Sequence, residues 1–409
     1  MNSRLRSDAE QIVRAAIDAV RPDEAVRRAL ENVQLTGRIT LVAVGKAAWR
    51  MANAALANLD RPIERGIVIT KYGHVMGALP NVVCFEAGHP VSDANSYAAT
   101  QAVLEMTANL SADDTVLFLL SGGGSALFEL PLIDAEEYQE ITKQLLASGA
   151  DIVEMNTIRK RLSAVKGGRF ALHCAPARIE GIVLSDVLGD PLDMIASGPA
   201  SPDPTTAAQA AAIARKYSLP LSDAAWRCLQ TETPKEIDNA HLQIIGSVRE
   251  LCRAAEAECR ALGYEPIYLT DRLCCEAKDA GSFLASILKS HENSEKLLAF
   301  ITGGETVVHV TGRGLGGRNQ ELALAAAKGI AGMNAAVISV GSDGTDGPTD
   351  AAGGYVDGDT LAKLCAAGID PDESLASNDA YHALQAVGGL IFTGPTGTNV
   401  NDVTVALLG

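Results

Sequence analysis

Three features of the chain predict an α/β protein of two domains, each a largely parallel sheet flanked by helices. Continuous apolar runs alternate with amphipathic segments from end to end. The apolar runs lack internal polar alternation, as expected of strands covered on both faces. Glycine-rich loops follow several of these runs, where open parallel sheets bind their ligands. At ~150 residues per domain the 409 residues suggest two or three domains, of which two is the reading taken.

Taken in order, two amphipathic segments, 7–20 and 23–33, precede the first expected strand, 39–44 (ITLVAV). Further strands are expected at 65–70 (RGIVIT), 82–87 (VVCFEA), 115–120 (TVLFLL) and 181–185 (GIVLS). Apolar residues at i, i+3, i+4 spacing mark helices at 46–59, 94–109, 134–149 and 205–217. A second strand series comprises 242–246 (LQIIG), 266–270 (PIYLT), 297–302 (LLAFIT), 335–340 (AAVISV) and 389–394 (GLIFTG). Its helices are expected at 247–262, 318–330 and 377–388. The polar, proline-containing stretch TETPKEIDNA (231–240) separates the series and places the domains at 1–237 and 238–409.

Composition narrows the function. Hydrophobic residues make up 47% and charged residues 21%, enough for full cores, which excludes a disordered chain. Lys plus Arg number 34 against 50 Asp plus Glu, a net charge of −16. Nucleic acid and anionic membrane are therefore excluded as main partners, and an anionic ligand must be held by local cations. The eight cysteines form no CxxC pair and read as free thiols of a reducing compartment. The start, MNSRLRSDAEQIV, lacks an apolar signal-peptide core, and no run of ~18 apolar residues is present. A cytoplasmic protein is expected.

The chemistry-bearing loops follow the strands. After 115–120 comes Ser121-Gly122-Gly123-Gly124-Ser125, whose glycines let backbone N–H groups approach an anion. It matches neither a Walker motif nor a G-x-S-x-G elbow. After 39–44 comes Gly45-Lys46 and then a helix. A cation in a first helical turn opposes the helix dipole, so Lys46 there is expected to face an anionic ligand. After 181–185, Asp186 and Asp190 suit Mg²⁺ or a substrate hydroxyl, or else turn and capping chemistry. After 297–302 comes Gly303-Gly304-Glu305-Thr306. Gly314, Gly316 and Gly317 then precede Arg318-Asn319 at a helix start, an anion-binding placement for Arg318. After 335–340, Asp343, Asp346 and Asp350 on a Gly/Thr loop suit a hard cation or turn chemistry. Arg159, Lys160, Arg161, Lys166 and Arg169 form one basic cluster, either a solvated helix face or a phosphate-steering surface. His89 follows a strand in GHPVSD and could cap a helix or touch a ligand. No histidine spacing suggests zinc. Glycine loops, single cations and aspartate pairs suit phosphoryl transfer, which needs positioning and charge neutralisation more than a nucleophile.

The motif set as a whole resembles the class II glycerate kinases, whose C-terminal half is the MOFRL domain. The matching segments are VGKAA (44–48), GHPVSD (88–93), LLSGGGSAL (119–127), NTIRKRLSAVKGGR (156–169), LSDVLGD (184–190) and SGPASPDPTT (197–206). The second half contributes GGET (303–306), GRGLGGRNQELAL (312–324), SVGSDGTDGPTDAAG (339–353) and TGPTGTNVND (393–402). The resemblance implies a Rossmann-like kinase domain followed by a MOFRL domain, with the active site in the cleft between them. It implies phosphorylation of D-glycerate by ATP with Mg²⁺, most often to 2-phosphoglycerate. Lys46 would bind substrate or the transferring phosphoryl group, and Arg318 would neutralise developing charge. Asp186 would hold the glycerate hydroxyl or Mg²⁺; the oxygen chemistry of Asp190 and Asp343 makes them further candidates for the ion. Ser121, Gly122, Gly123, Gly124 and Ser125, with Asn319 and Glu305, would hold phosphates or the glycerate carboxylate, which of the two being left open. The expected partners are D-glycerate and ATP, and a homodimer is left open. Some relatives carry the name hydroxypyruvate reductase, an NAD(P)H enzyme of tartrate breakdown, so that activity is the alternative. It needs a G-x-G-x-x-G fingerprint, which VGKAAWRM lacks. A non-catalytic carboxylate- or sugar-phosphate-binding protein is the third reading.

Overall fold

The computed structural model describes residues 3–409. The chain forms two compact units, Pro22–Ile245 and a second built from the segment up to Arg21 with Gly246–Gly409.

The first unit carries β1 (Ile39–Val44), β2 (Arg65–Lys71), β3 (Val82–Ala87), β4 (Thr115–Leu120), β5 (Arg178–Leu184) and β6 (Ala240–Gly246). They lie in the order β3-β2-β1-β4-β5-β6, and the pairings from β3 through to β5 are all parallel. The central strands β1 and β4 are buried along their whole length, as their unbroken apolar runs require. Phe118 of β4 meets Phe128 and Phe170 at ring-centroid distances of 6.1 and 5.2 Å, giving one face of the sheet its aromatic core.

The second unit carries β7 (Glu265–Leu273), β8 (Leu298–Gly304), β9 (Ala335–Gly341), β10 (Gly353–Asp357), β11 (Leu390–Ile391) and β12 (Asp402–Leu408). Their order is β11-β10-β9-β12-β8-β7. β7, β8, β9 and β11 share one direction, so strand direction is largely common, as expected. β10 and β12 run against it, and neither is among the expected strands. β10 is short and opens on two glycines, and β12 emerges directly from a glycine- and asparagine-rich loop.

The expected boundary at 237/238 differs from this division in two ways. β6, expected to open the second series, is hydrogen-bonded to β5 in the first sheet, where Ile179 N donates to Asn239 O at 2.7 Å. Gly181 of β5 makes room for it: a Cβ there would stand 2.0 Å from Leu242 Cδ2. The N-terminal helix Ser3–Ala19 joins the second unit instead of the first. Its buried face (Leu5, Ala9, Ile12, Val13, Ala16, Ile17) needs an apolar partner, and polar ties fix the register. Tyr264 Oη donates to Asp8 Oδ2 at 2.8 Å, and Thr398 Oγ1 donates to Val20 O at 2.9 Å.

The basic cluster is neither a solvated face nor a steering surface. Lys160, Arg161 and Lys166 are fully buried. Lys160 Nζ lies 3.0 Å from Asp193 and 3.2 Å from Asp203, Arg161 lies 3.5 Å from Asp203, and Lys166 lies 2.9 Å from Glu129. Each buried charge is matched because desolvating an unpaired ion costs several kcal/mol. Burial lowers Lys166 to about 8, against the pull of Glu129.

Asp203 joins two of these cations and also accepts from Thr233 Oγ1 at 2.6 Å. Asp203→Ala is expected to destabilise the first unit by about 3–5 kcal/mol. Glu24→Ala, which removes one of the two exposed partners of Arg27, should leave the urea midpoint nearly unchanged. Matching urea curves for the two variants would contradict this account.

Candidate functional site

Four loops at the carboxyl ends of the first sheet build one site, and it begins with a close approach. Gly45 has φ 123°, and a Cβ there would stand 2.2 Å from Ser121 Oγ and 2.4 Å from Ser121 O. Only glycine therefore lets the loop after β1 touch the loop after β4. Lys46 N donates to Gly122 O at 2.9 Å, and Ala47 N donates to Ser121 Oγ at 3.1 Å. Ser121, expected to contact ligand, is buried and clamps these two loops together. The following helix, Ala48–Asn58, takes Ala47 as its N-cap. Lys46 thus stands one residue before the cap and not in the first turn, because the Lys46–Gly122 bond keeps its backbone out of the helix.

The glycines leave room for functional side chains. A Cβ on Gly122 would stand 2.1 Å from Asp186 Oδ2. A Cβ on Gly123 would stand 3.0 Å from His89 Cδ2 and 3.3 Å from Lys46 Cγ. Asp186, Lys46 and His89 therefore converge on the Gly122-Gly123 step. His89 is pulled down to about 4 by burial, and then by the fields of Lys46, Lys71 and His74, so its ring is neutral at pH 7. Asp190 shares the loop of Asp186; it sits at φ 57°, and its Oδ1 is buried without a hydrogen-bond partner.

Beside this step lies a cavity of about 210 Å³, lined by Gly123, Gly124, Ser125, Asn156, Asp186 and Met194 among others. Ser125 Oγ lies 3.1 Å from Ser197 Oγ, which donates to Asn156 Oδ1 at 2.9 Å. Arg159 holds the loop from outside, donating to Ser125 O at 2.9 Å and to Tyr138 Oη at 3.2 Å. Sequence reading missed Asn156. It opens the NTIRKR segment, whose basic residues drew the attention, and its place on the cavity face of the helix Ile152–Leu162 is its only signal.

In the second unit Arg318 is the first residue of the helix Arg318–Ala326, behind its N-cap Gly317. The expected anion position at that helix start is taken by the protein itself. Asp346, buried, accepts from Asn319 N at 3.1 Å and Gln320 N at 2.9 Å. Gly317 permits this, since a Cβ there would stand 2.2 Å from Asp346 Cγ. Burial raises the Asp346 carboxyl above the usual range, against those backbone bonds. The Arg318 guanidinium turns to the end of β12, gripping Asp402 through Nε at 2.6 Å and Nη2 at 3.0 Å. Its Nη1 donates to Glu305 at 3.1 Å, and Asn401 Nδ2 holds the other Glu305 oxygen at 3.1 Å. Burial pushes the Asp402 carboxyl up to about 6 in spite of that guanidinium. Among the described residues, these contacts engage three of the five Arg318 N–H groups.

Asn319 is not presented to a ligand. It is buried, accepting from Ser339 Oγ at 2.6 Å. Asp343 turns its Oδ1 to Thr345 N at 2.9 Å, the turn chemistry that was the other reading of that loop. Among the described residues, no three His, Cys, Asp or Glu side chains stand together as a metal cage.

The fold is that of an α/β enzyme, with Lys46, His89 and Asp186 gathered on a strand-end glycine loop. Residues 8–230 match the family model described as "Domain of unknown function (DUF4147)", and residues 298–402 match that of the MOFRL family. The chain is 51% identical over 411 residues to D-glycerate 2-kinase of Thermotoga maritima, covering 99% of this chain and 98% of that protein. The crystal structure of glycerate kinase from the same organism superposes with a TM-score of 0.97 at 50% identity, covering 100% of both chains. A relative in Agrobacterium vitis named for hydroxypyruvate reductase is 38% identical, covering 98% of this chain and 95% of its own. The chain belongs to the glycerate kinase family built from these two domains.

The His89 environment predicts a pH signature. Its folded pKa of about 4 lies below the unfolded 6.5, so the unfolded chain takes up this proton first as pH falls. The stability it contributes is complete above pH 6.5 and is lost towards pH 4. Melting temperatures of His89→Gln should therefore fall less steeply than wild type across that window; parallel profiles would contradict the assignment.

Proposed function

We infer that the protein is an ATP-dependent glycerate 2-kinase, transferring the γ-phosphoryl group of ATP to D-glycerate to give 2-phosphoglycerate. The observation that carries this reading is the convergence of Asp186 and Lys46 on the Gly122-Gly123 step, in a chain of this family. Phosphoryl transfer asks for a group to take the hydroxyl proton and cations to meet the moving charge. In this reading Asp186 accepts the proton of the glycerate hydroxyl. Lys46 binds the transferring phosphoryl group. Arg318, held by Asp402 and Glu305, offers part of its guanidinium fork to a phosphate oxygen. Neutral His89 beside Lys46 adds no competing positive charge.

Mg²⁺ belongs to the same proposal. It is usually held by one or two carboxylates, with the nucleotide phosphates completing its shell. Asp190, on the same loop as Asp186, fits that demand, and its buried Oδ1, without a hydrogen-bond partner among the described residues, supports it. Asp343, engaged with Thr345, fits less well. The ion would supply neutralisation of phosphate charge. The reductase alternative is set aside, since the loop after β1 has no dinucleotide fingerprint. No described helix is long and apolar enough to cross a membrane, and the reading puts the enzyme in the cytoplasm, with a homodimer open.

Incubation with D-glycerate, ATP and Mg²⁺ should yield 2-phosphoglycerate by ³¹P NMR, with turnover lost in EDTA. NADH oxidation by hydroxypyruvate without glycerate phosphorylation would reverse the assignment, and full activity in EDTA would remove the metal.

Lys46→Ala should lower kcat by about 10²–10³ with melting unchanged. Arg318→Lys keeps a charge beside Asp402 but loses the fork, and should lower kcat as well. Near-wild-type turnover by either variant would contradict these roles.

A further inference from the structure

The cavity beside the glycine loop contains a buried donor with poor satisfaction. Asn156 is 3% exposed. Its Oδ1 is taken by Ser197, while its Nδ2, among the described residues, donates to the Met194 thioether 3.7 Å away. Sulfur is a weak acceptor, and buried amide N–H groups seldom go without a good one. Asn156 lines the cavity, and an amide nitrogen with two N–H groups has one to spare beside that weak acceptor. Ser125 and the Gly123-Gly124 backbone share that wall, and Asp186 lines the cavity too. The volume of about 210 Å³ is below the ~300–1,000 Å³ of clefts that take drug-sized ligands. It suits a small hydroxy acid and cannot enclose a nucleoside triphosphate.

We propose that this cavity is the acceptor subsite, in which Asn156 Nδ2 donates to the carboxylate of a short 2-hydroxy acid while Asp186 takes its hydroxyl. The orientation follows from charge: Asp186 repels the substrate carboxylate and so directs it to the donors, Asn156 and Ser125. The glycine loop then serves the acceptor, and the nucleotide is held elsewhere. Ser197 is a positioning residue. Ala196, Ser197 and Gly198 all have left-handed backbones, with φ 50°, 62° and 65°, and that turn delivers the Ser197 hydroxyl to Asn156. The inference rests on the kinase reading for the identity of its ligand.

The test is calorimetric titration with D-glycerate alone, alongside initial rates with ATP. Asn156→Ala should weaken D-glycerate binding, and raise its KM, about 10- to 100-fold. The KM for ATP should stay within about twofold. Ser197→Ala should shift glycerate in the same direction by less. Ile152→Trp guards against misfolding of the Asn156 variant. Ile152 lines the cavity yet is 55% exposed, so a larger side chain there blocks the space without disturbing the core. It should also weaken glycerate binding and spare ATP. Unchanged glycerate binding in Asn156→Ala and Ile152→Trp, or a rise in the ATP KM alone, would overturn the assignment while leaving the kinase reading intact. Lost glycerate binding in the variants of a wild type that never phosphorylates glycerate would support the subsite and refute the kinase reading.

Discussion

The site depends on the contact between the ends of β1 and β4. Nothing larger than hydrogen fits on Gly45 against the Ser121 backbone and hydroxyl. With the strands that close, Ser121 and Gly122 can accept from Ala47 and Lys46, and the chain after β1 is held against the glycine loop before its helix begins. Each such bond contributes only about 1 kcal/mol to stability. Their larger effect is geometric, because they set where the Lys46 side chain starts. Gly122 and Gly123 then leave the space that Asp186, His89 and Lys46 occupy. A loop that looks built to wrap an anion in backbone N–H groups works first as clearance for three side chains.

Charge is distributed by the same economy of space. In a chain of net charge −16, most of the conspicuous basic cluster lies in the core of the first unit, bound to Asp193, Asp203 and Glu129. Low dielectric makes an unpaired ion there prohibitive, so those cations cannot also steer substrate. Cations that serve a ligand must stand at strand ends instead. Lys46 stands at such an end, and so does Arg318, whose orientation two carboxylates fix.

The last strand fixes the surroundings of Arg318 in the second unit. β12 enters antiparallel between β8 and β9, so its first residue, Asp402, pairs with Gly304 and Gly341 at the carboxyl ends of both. That position puts Asp402 under the Arg318 guanidinium. Asp346 meanwhile fills the helix start at Asn319 and Gln320. A helix N-terminus draws an anion, and here the nearest one is the protein's own carboxylate, which turns the arginine towards the strand ends.

Much of this was written in the sequence. Unbroken apolar runs such as ITLVAV and TVLFLL identify strands buried on both faces, because that pattern is set by local composition. The glycine loops, Lys46, Asp186 and Arg318 stand out because strand ends, glycine and isolated charges are local signals too. What each residue touches is not local. Whether Lys160 is solvated or buried, whether Ser121 meets a ligand or a neighbouring loop, and whether β6 joins the first sheet or the second depend on residues far away in the chain. The same holds for the N-terminal helix and for β12, whose partners are the opposite end of the chain and two distant strands. Asn156 is the clearest case: an asparagine on an amphipathic helix has no signature of its own. Only tertiary packing of Ser197 and Met194 against it leaves its amide nitrogen short of an acceptor at the wall of a cavity.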